Sequence, residues 1–282
     1  MQTIKYFRFS PLLKLLLAFL VIAGFTACEE DKTQNLEARN WSLTWSDEFD
    51  GAAGQGIDAT KWTYDIGTGD NGWGNQELQY YTDEAENVSL DGDGNLVITA
   101  RREAFGGSPF TSARIKTQDL FEQTYGRFEA RMKTPYGPGM WPAFWLLGAN
   151  IDEVNWPQCG EIDVMELRGQ QPDKIAGSVH GPGYSGGNAI TSDFTLENSR
   201  FDQEYHLFAI EWGEDYINYF VDDFLFNRIT PEDVTGEWVF DQPFFMILNL
   251  AVGGNYVGFP TSQTPFPQTI VVDYIRVYQE QN

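Results

Sequence analysis

Apolar and polar residues alternate with period two through the chain from Leu43 onward, and almost no stretch repeats its apolar residues at the spacing of a helix, about 3.6 residues. Leu96, Ile98 and Ala100 alternate with Val97 and Thr99; Phe128, Ala130 and Met132 with Arg127, Glu129 and Arg131; Val271, Asp273, Ile275 and Val277 with Val272, Tyr274, Arg276 and Tyr278. A backbone whose successive side chains leave on opposite faces has this period, so strands are predicted. Phe208 to Trp212, Ile217 to Val221 and Phe244 to Ala251 are apolar nearly throughout, as expected of strands covered on both faces. An all-β sandwich follows, with one short helix expected near Asp58 to Trp62 and capped by Asp58. No repeat or Pro- or Ser-rich linker interrupts the pattern after Asn40, which points to one domain over 41–282 whose last strand, Ile270 to Tyr278, pairs within a sheet.

Lys5, Arg8 and Lys14 precede an apolar run, Leu15 to Ala27, that is too short to span a bilayer and has the charge order of a secretory signal. It ends Phe25-Thr26-Ala27-Cys28, which resembles a bacterial lipobox. Residues 1–27 then form a signal peptide, Cys28 is the acylated mature N-terminus, and 28–40 is an acidic tether opening with Glu29, Glu30 and Asp31. An outer-membrane lipoprotein exposed at the cell surface is expected, with a secreted or periplasmic protein as the alternative. Once Cys28 is lipidated, Cys159 has no disulfide partner and reads as a buried, inert thiol rather than a nucleophile. Eighteen Lys+Arg against 41 Asp+Glu give a net charge of -23, and losing the three basic residues of the leader takes it to -26. Such a surface repels a phosphate backbone, so no nucleic acid is expected as a partner. A monomer is expected.

The densest ionisable cluster inside an apolar strand is Gly160-Glu161-Ile162-Asp163-Val164-Met165-Glu166-Leu167. On a regular strand Glu161 and Asp163 share one face while Glu166 falls on the other. A β-bulge between Asp163 and Glu166, with Val164 or Met165 unpaired, returns Glu166 to the face of the other two. The Cα atoms of Glu161 and Glu166 then lie roughly 13 Å apart, and side chains leaning inward bring the carboxyl groups to roughly 5–6 Å, the separation of retaining rather than inverting glycosidases. Three like charges so close do not all stay ionised, which supplies both a proton donor and a carboxylate nucleophile. A solvated strand face is the ordinary reading of three acids. Against it stand Trp141-Pro142-Ala143-Phe144-Trp145 and Trp156-Pro157, aromatic faces suited to stacking on sugars, in a chain that is 15% aromatic with nine Trp.

The run Gly160 to Glu166 resembles the G-E-I-D-[IV]-M-E signature of the bacterial laminarinases, the β-1,3-glucanases of glycoside hydrolase family 16. The resemblance extends to Trp45-Ser46-Asp47-Glu48-Phe49, Trp73-Gly74-Asn75-Gln76-Glu77-Leu78-Gln79-Tyr80-Tyr81, Gly139-Met140-Trp141-Pro142-Ala143-Phe144-Trp145, Asn249-Leu250-Ala251-Val252-Gly253-Gly254 and Val272-Asp273-Tyr274-Ile275-Arg276-Val277-Tyr278. It implies a β-jelly-roll sandwich of two antiparallel sheets with a concave substrate cleft, and hydrolysis of a β-glucan polysaccharide or oligosaccharide such as laminarin by double displacement. Glu161 is implied as nucleophile, Glu166 as general acid/base, and Asp163 as the residue that tunes the nucleophile. Trp141, Trp145 and Trp156 are implied to line the glycone side, Asn75 and Arg114 to bond sugar hydroxyls, and His180 to lie near the scissile bond. For Arg114 a structural ion pair is an equal alternative. The resemblance also implies a structural Ca²⁺ on the convex side, held through Glu48, Gly94 and Asp273, and no cofactor for catalysis.

Two rival functions share the scaffold: a mixed-linkage β-1,3-1,4-glucanase, whose strand more often reads E-I-D-I-E without the extra residue, and a non-catalytic surface glucan-binding protein. Gly183-Tyr184-Ser185-Gly186-Gly187 matches the G-x-S-x-G of serine esterases, with His206 and Asp193 or Asp202 as partners. No helix pattern follows Ser185, so a Gly-rich surface loop is expected, with His206 a structural histidine. Asp91-Gly92-Asp93-Gly94-Asn95 resembles the start of an EF-hand loop but has Leu96 and Arg102 at the glycine and bidentate-acid positions, so a tight turn is expected. Two histidines and one mature cysteine leave no zinc site.

Overall fold

A computed structural model describes residues 39–281; Cys28, the signal peptide expected over 1–27 and nearly all of the tether expected over 28–40 lie outside the described residues. The strands are β1 (Trp41–Asp47), β2 (Thr63–Tyr64), β3 (Gln79–Tyr81), β4 (Val88–Leu90), β5 (Leu96–Ala100), β6 (Phe110–Ser112), β7 (Arg114–Lys116), β8 (Gly126–Lys133), β9 (Met140–Gly148), β10 (Glu161–Leu167), β11 (Lys174–His180), β12 (Ile190–Thr195), β13 (His206–Gly213), β14 (Tyr216–Val221), β15 (Phe224–Ile229), β16 (Phe244–Val252) and β17 (Gln268–Glu280). Two antiparallel sheets face each other. One runs β15-β14-β13-β8-β17-β5-β4 with β1 also on β17; the other runs β12-β11-β10-β9-β16-β7-β2. β3 and β6 form a small parallel pair.

The core lies between the sheets and is built from the residues that the alternation singles out. Leu96, Ile98 and Ala100 on β5 and Phe128, Ala130 and Met132 on β8 are buried, as is every residue of β16. β16 is covered twice, because Phe245 and Ile247 join Leu147 and Cys159 in a second apolar cluster on the other face of its sheet. Cys159 is a free, buried thiol, and burial pushes its pKa up to about 11, which suits packing and not nucleophilic attack.

Two local expectations change. Asp58 to Trp62 is a single turn rather than a helix: the N–H groups of Lys61 and Trp62 both donate to the Asp58 carbonyl at 2.9 Å, and Asp58 Oδ1 accepts from the Thr60 N–H. The chain there is needed to bury Trp62, whose indole N–H donates to Asp47 Oδ2. On β17 the alternation is interrupted by a bulge between Val272 and Tyr274, so Ile270 and Val272 face the core before it and Ile275 and Val277 after it. The bulge lets one long strand serve β5 with its first half and β1 with its second.

Candidate active site

β10 carries a bulge where the spacing of its acids requires one. Against β11 the register steps from Asp163–Ser178 to Glu166–Ala176, and against β9 from Asp163–Trp145 to Met165–Phe144. Val164 and Met165 both pack into the core. Glu161, Asp163 and Glu166 consequently share the opposite face and line one cleft of about 790 Å³. The register explains its shape. Ala143 stands beside Glu166 on one side and Asn249 on the other, flanked along its own strand face by Trp141 and Trp145, so a methyl group forms the floor between two indoles.

Every residue expected to cleave or bind the glucan lines this cleft: Asn75, Arg114, Trp141, Trp145, Trp156 and His180 with the three acids. The indoles are aimed by hydrogen bonds. Trp156 Nε1 donates to Glu161 Oε2 at 2.9 Å, Trp141 Nε1 to Glu166 Oε1 at 2.8 Å, and Trp145 Nε1 to Asn249 Oδ1 at 2.8 Å. Trp156 and Trp141 thus bracket the acids. Arg114 makes the structural ion pair of its two alternatives: its Nε pairs with Asp65 Oδ2 at 2.9 Å, and its guanidinium lies against the rings of Trp73 and Trp145, 4.7 and 4.9 Å from their centroids, on the wall of the cleft.

Burial is the main cause that pushes Glu161, Asp163 and Glu166 each up to about 8. The charge of Asp163 raises both glutamates further, and each glutamate is opposed by its indole donor. Groups this strongly coupled give up their protons as one set, in steps. His180 Nε2 sits 3.1 Å from Asp163 Oδ2 and 3.6 Å from Glu161 Oε1. Its Nδ1 accepts from the Gly186 N–H at 3.0 Å, so the neutral ring carries its proton on Nε2, facing the acids. Glu161, Asp163 and His180 offer ligand atoms within 4.8 Å of one another and could hold an ion. The Gly186 bond opposes this, since a metal-bound imidazole ordinarily donates from its other nitrogen.

The residues expected to hold calcium, Glu48, Gly94 and Asp273, lie on three different segments, outside the cleft. A methyl group built on Gly94 would lie 3.8 Å from Asp50 Oδ1, and Asp273 occupies the β17 bulge. The Glu48 carboxylate is taken by Arg276 in a two-point contact and that of Asp273 pairs with Arg131, so Glu48 has only its carbonyl to offer. An all-oxygen set of this kind fits Ca²⁺.

The Gly183–Gly187 segment is a loop: Ser185 opens a three-residue turn, and His206 Nδ1 lies 2.6 Å from Asp222 Oδ2, not beside Asp193 or Asp202, which pair with Lys174 and Arg200. Asp91–Asn95 is a tight turn in which Asp91 Oδ1 accepts from the N–H groups of Asp93 and Asn95. The sequence reading missed Trp73, Glu77, Arg168, Asn249 and Tyr256 as cleft residues. Trp73, Glu77 and Asn249 lie inside motifs that carried the resemblance, whereas Arg168 and Tyr256 had no local signal.

Residues 73–276 match the family described as glycosyl hydrolases family 16. The chain is 42% identical over 276 residues to a beta-glucanase of Rhodothermus marinus, covering 93% of each. It is 46% identical, with TM-score 0.81, to the laminarinase catalytic domain of Thermotoga maritima, covering 86% of this chain and 100% of that one. A non-specific endo-β-1,3(4)-glucanase of the family, co-crystallised with 1,3-β-D-cellotriosyl-glucose, is 34% identical with TM-score 0.77 over 86% of this chain and 96% of its own. Two antiparallel sheets, a bulged strand carrying three acids and an aromatic cleft across it accompany these likenesses, and the chain belongs to glycosyl hydrolases family 16.

Proposed function

We propose that the protein is a retaining endo-β-1,3-glucanase acting on laminarin-type β-glucans. The observation that carries this reading is that one bulge turns Glu161, Asp163 and Glu166 onto the same face of β10, inside an indole-walled cleft. Glu161 has an indole N–H and the His180 Nε2 proton beside it, donors that favour its anion, so it attacks the anomeric carbon. Glu166, raised by burial and by the Asp163 charge, holds the proton that the departing glycosidic oxygen takes up. A covalent glycosyl-enzyme forms on Glu161. Glu166, now ionised, takes a proton from the water that releases the sugar, and the anomeric configuration is retained. Arg114, Asn75 and the indoles hold the chain of sugars across the strands.

The β-1,3 preference is supported by the laminarinase relative and by Met165, the extra residue in the acid motif. The mixed-linkage reading keeps the same mechanism and is favoured by the β-1,3(4) relative. Reducing-end release and product profiles from laminarin, lichenan and agarose decide among these. Activity on laminarin at least as high as on lichenan is expected, and activity on agarose alone overturns the substrate.

The basic-then-apolar leader and Phe25-Thr26-Ala27-Cys28 support an outer-membrane lipoprotein anchored through Cys28 and exposed at the surface. Labelling with a radioactive or alkynyl fatty acid, lost in Cys28→Ala, tests the anchor. The oxygen set at Glu48, Gly94 and Asp273 supports a structural Ca²⁺; an unchanged melting temperature in EDTA would remove it from the account.

A further inference from the structure

We infer that Glu77 is a positioning residue for the side of the cleft formed by Trp73, Asn75, Arg114 and Trp145, holding those groups in place without touching the reacting atoms. This rests on the β-glucan reading of the cleft.

Trp73 and Asn75 reach the cleft from a tight turn, Gly72–Gln76, whose backbone is costly. Asn71, Trp73 and Gln76 have φ of 51°, 53° and 59°, left-handed values that L side chains rarely adopt. Such a turn persists only where its surroundings over-determine it. Glu77 closes the turn, donating its own N–H to the Gly72 carbonyl at 3.2 Å. Its carboxylate then collects donors from three directions: Asn75 Nδ2 to Oε1 at 3.3 Å, Gln79 Nε2 to Oε2 at 2.7 Å and the Tyr81 hydroxyl to Oε2 at 3.2 Å.

Each donor is tied to another part of the site. Gln79 Oε1 accepts from the Val252 N–H at 2.7 Å, fixing the turn to the end of β16. The Tyr81 hydroxyl is 3.3 Å from Asn249 Nδ2, and Asn249 Oδ1 holds the Trp145 indole. The Tyr81 ring lies 5.7 Å from that of Trp73, and Trp73 and Trp145 enclose Arg114. A single acceptor therefore joins the Asn75 amide and the indoles of Trp73 and Trp145, which reach the cleft from separate segments of the chain. The two carboxyl oxygens accept from all three donors, whereas an amide at this place would turn an NH₂ toward at least one of them. Burial raises the pKa of Glu77, while Gln79, the Arg114 charge and the other donors oppose the rise. The charged and titratable groups facing it are Arg114, already paired with Asp65, and Tyr81.

The test is steady-state kinetics of E77Q on laminarin oligosaccharides, with melting temperature measured alongside. KM is expected to rise about tenfold while kcat stays within about twofold, because the acids on β10 are untouched. Y81F, which deletes only the hydroxyl link toward Asn249, is expected to raise KM about threefold, and it decides the matter if E77Q does not fold. Wild-type KM in a folded E77Q, or in Y81F where E77Q does not fold, overturns the inference, as does a parallel loss of kcat and KM effects that tracks melting temperature alone. Hydrolysis of laminarin by the wild-type enzyme is the control. Its absence overturns the β-glucan reading itself, whereas its presence beside an unaffected E77Q overturns the positioning role alone.

Discussion

The backbone N–H of Gly186 donates to His180 Nδ1 at 3.0 Å, and this bond decides which ring nitrogen carries the proton. With Nδ1 accepting, the proton of the neutral ring sits on Nε2, 3.1 Å from Asp163 Oδ2 and 3.6 Å from Glu161 Oε1. His206 is the reverse case, since its Nδ1 faces the Asp222 carboxylate at 2.6 Å and must be the protonated nitrogen. These are the chain's two histidines, so a ¹⁵N spectrum of the neutral protein should contain one ring of each tautomer. In activity, His180→Ala is expected to lower kcat about 10- to 100-fold, the worth of one hydrogen bond to a charged group, with His180→Gln recovering part of it. Two rings of the same tautomer would show that the Gly-rich loop does not set His180.

Trp141→Phe removes the indole N–H from Glu166 and leaves an aromatic face. That donor favours the ionised carboxylate, so without it Glu166 holds its proton more tightly. The alkaline limb of the kcat/KM profile is expected to move to higher pH by about one unit, at a cost of about tenfold in kcat. A limb that stays in place would mean that another group sets it.

The strand bulge can be tested by deletion. Removing Met165 alone turns β10 into a regular alternation that still directs three acids to the cleft, at a cost of about 2–5 kcal/mol for a lost buried side chain. Removing Val164 and Met165 together sends Glu166 into the core. Detectable hydrolysis in the first variant and none in the second is expected, measured on laminarin with melting temperature as the control. Equal activity in the two would contradict the facing argument.

The buried acids also link stability to pH. Glu161 is raised from 4.5 to about 8 in the folded protein, so the fold binds that proton more tightly than the unfolded chain does. Its contribution to stability is present below about 4.5 and is lost as pH rises through about 8. Glu161→Gln keeps a neutral side chain at every pH. Above pH 8 the variant is expected to melt higher than the wild type, by roughly 2–4 °C for each kcal/mol relieved, with the gap closing toward pH 4. A gap independent of pH would place the strain elsewhere.

The strands, the bulge and the three acids were legible because each is a local pattern: period two makes a strand, and an odd spacing between like side chains implies an inserted residue. What joins distant segments was not legible. Glu77 meets Asn249 through Tyr81 only because Leu78 and Gln79 bond to the end of β16, and nothing in either segment alone announces it. Tyr256 is aligned by its rings with Trp141 and Arg168, a stack assembled from three loops and strands. Asp58 to Trp62 carried a good cap but too few residues to propagate a helix, and burial of Trp62 took precedence. On β17 the alternation hid a bulge, because Val271 and Val272, just before it, put an apolar side chain on each face of the strand.

The most direct test is proton NMR of the first sugar released from a laminarin oligosaccharide, run on the wild type beside Glu161→Gln and Glu166→Gln. The β anomer should appear first and mutarotate later, and each variant should lose about 10³-fold or more in turnover while still folded. The α anomer appearing first, or either variant working within about tenfold of the wild type, would contradict the assignment of nucleophile and acid/base to these two residues.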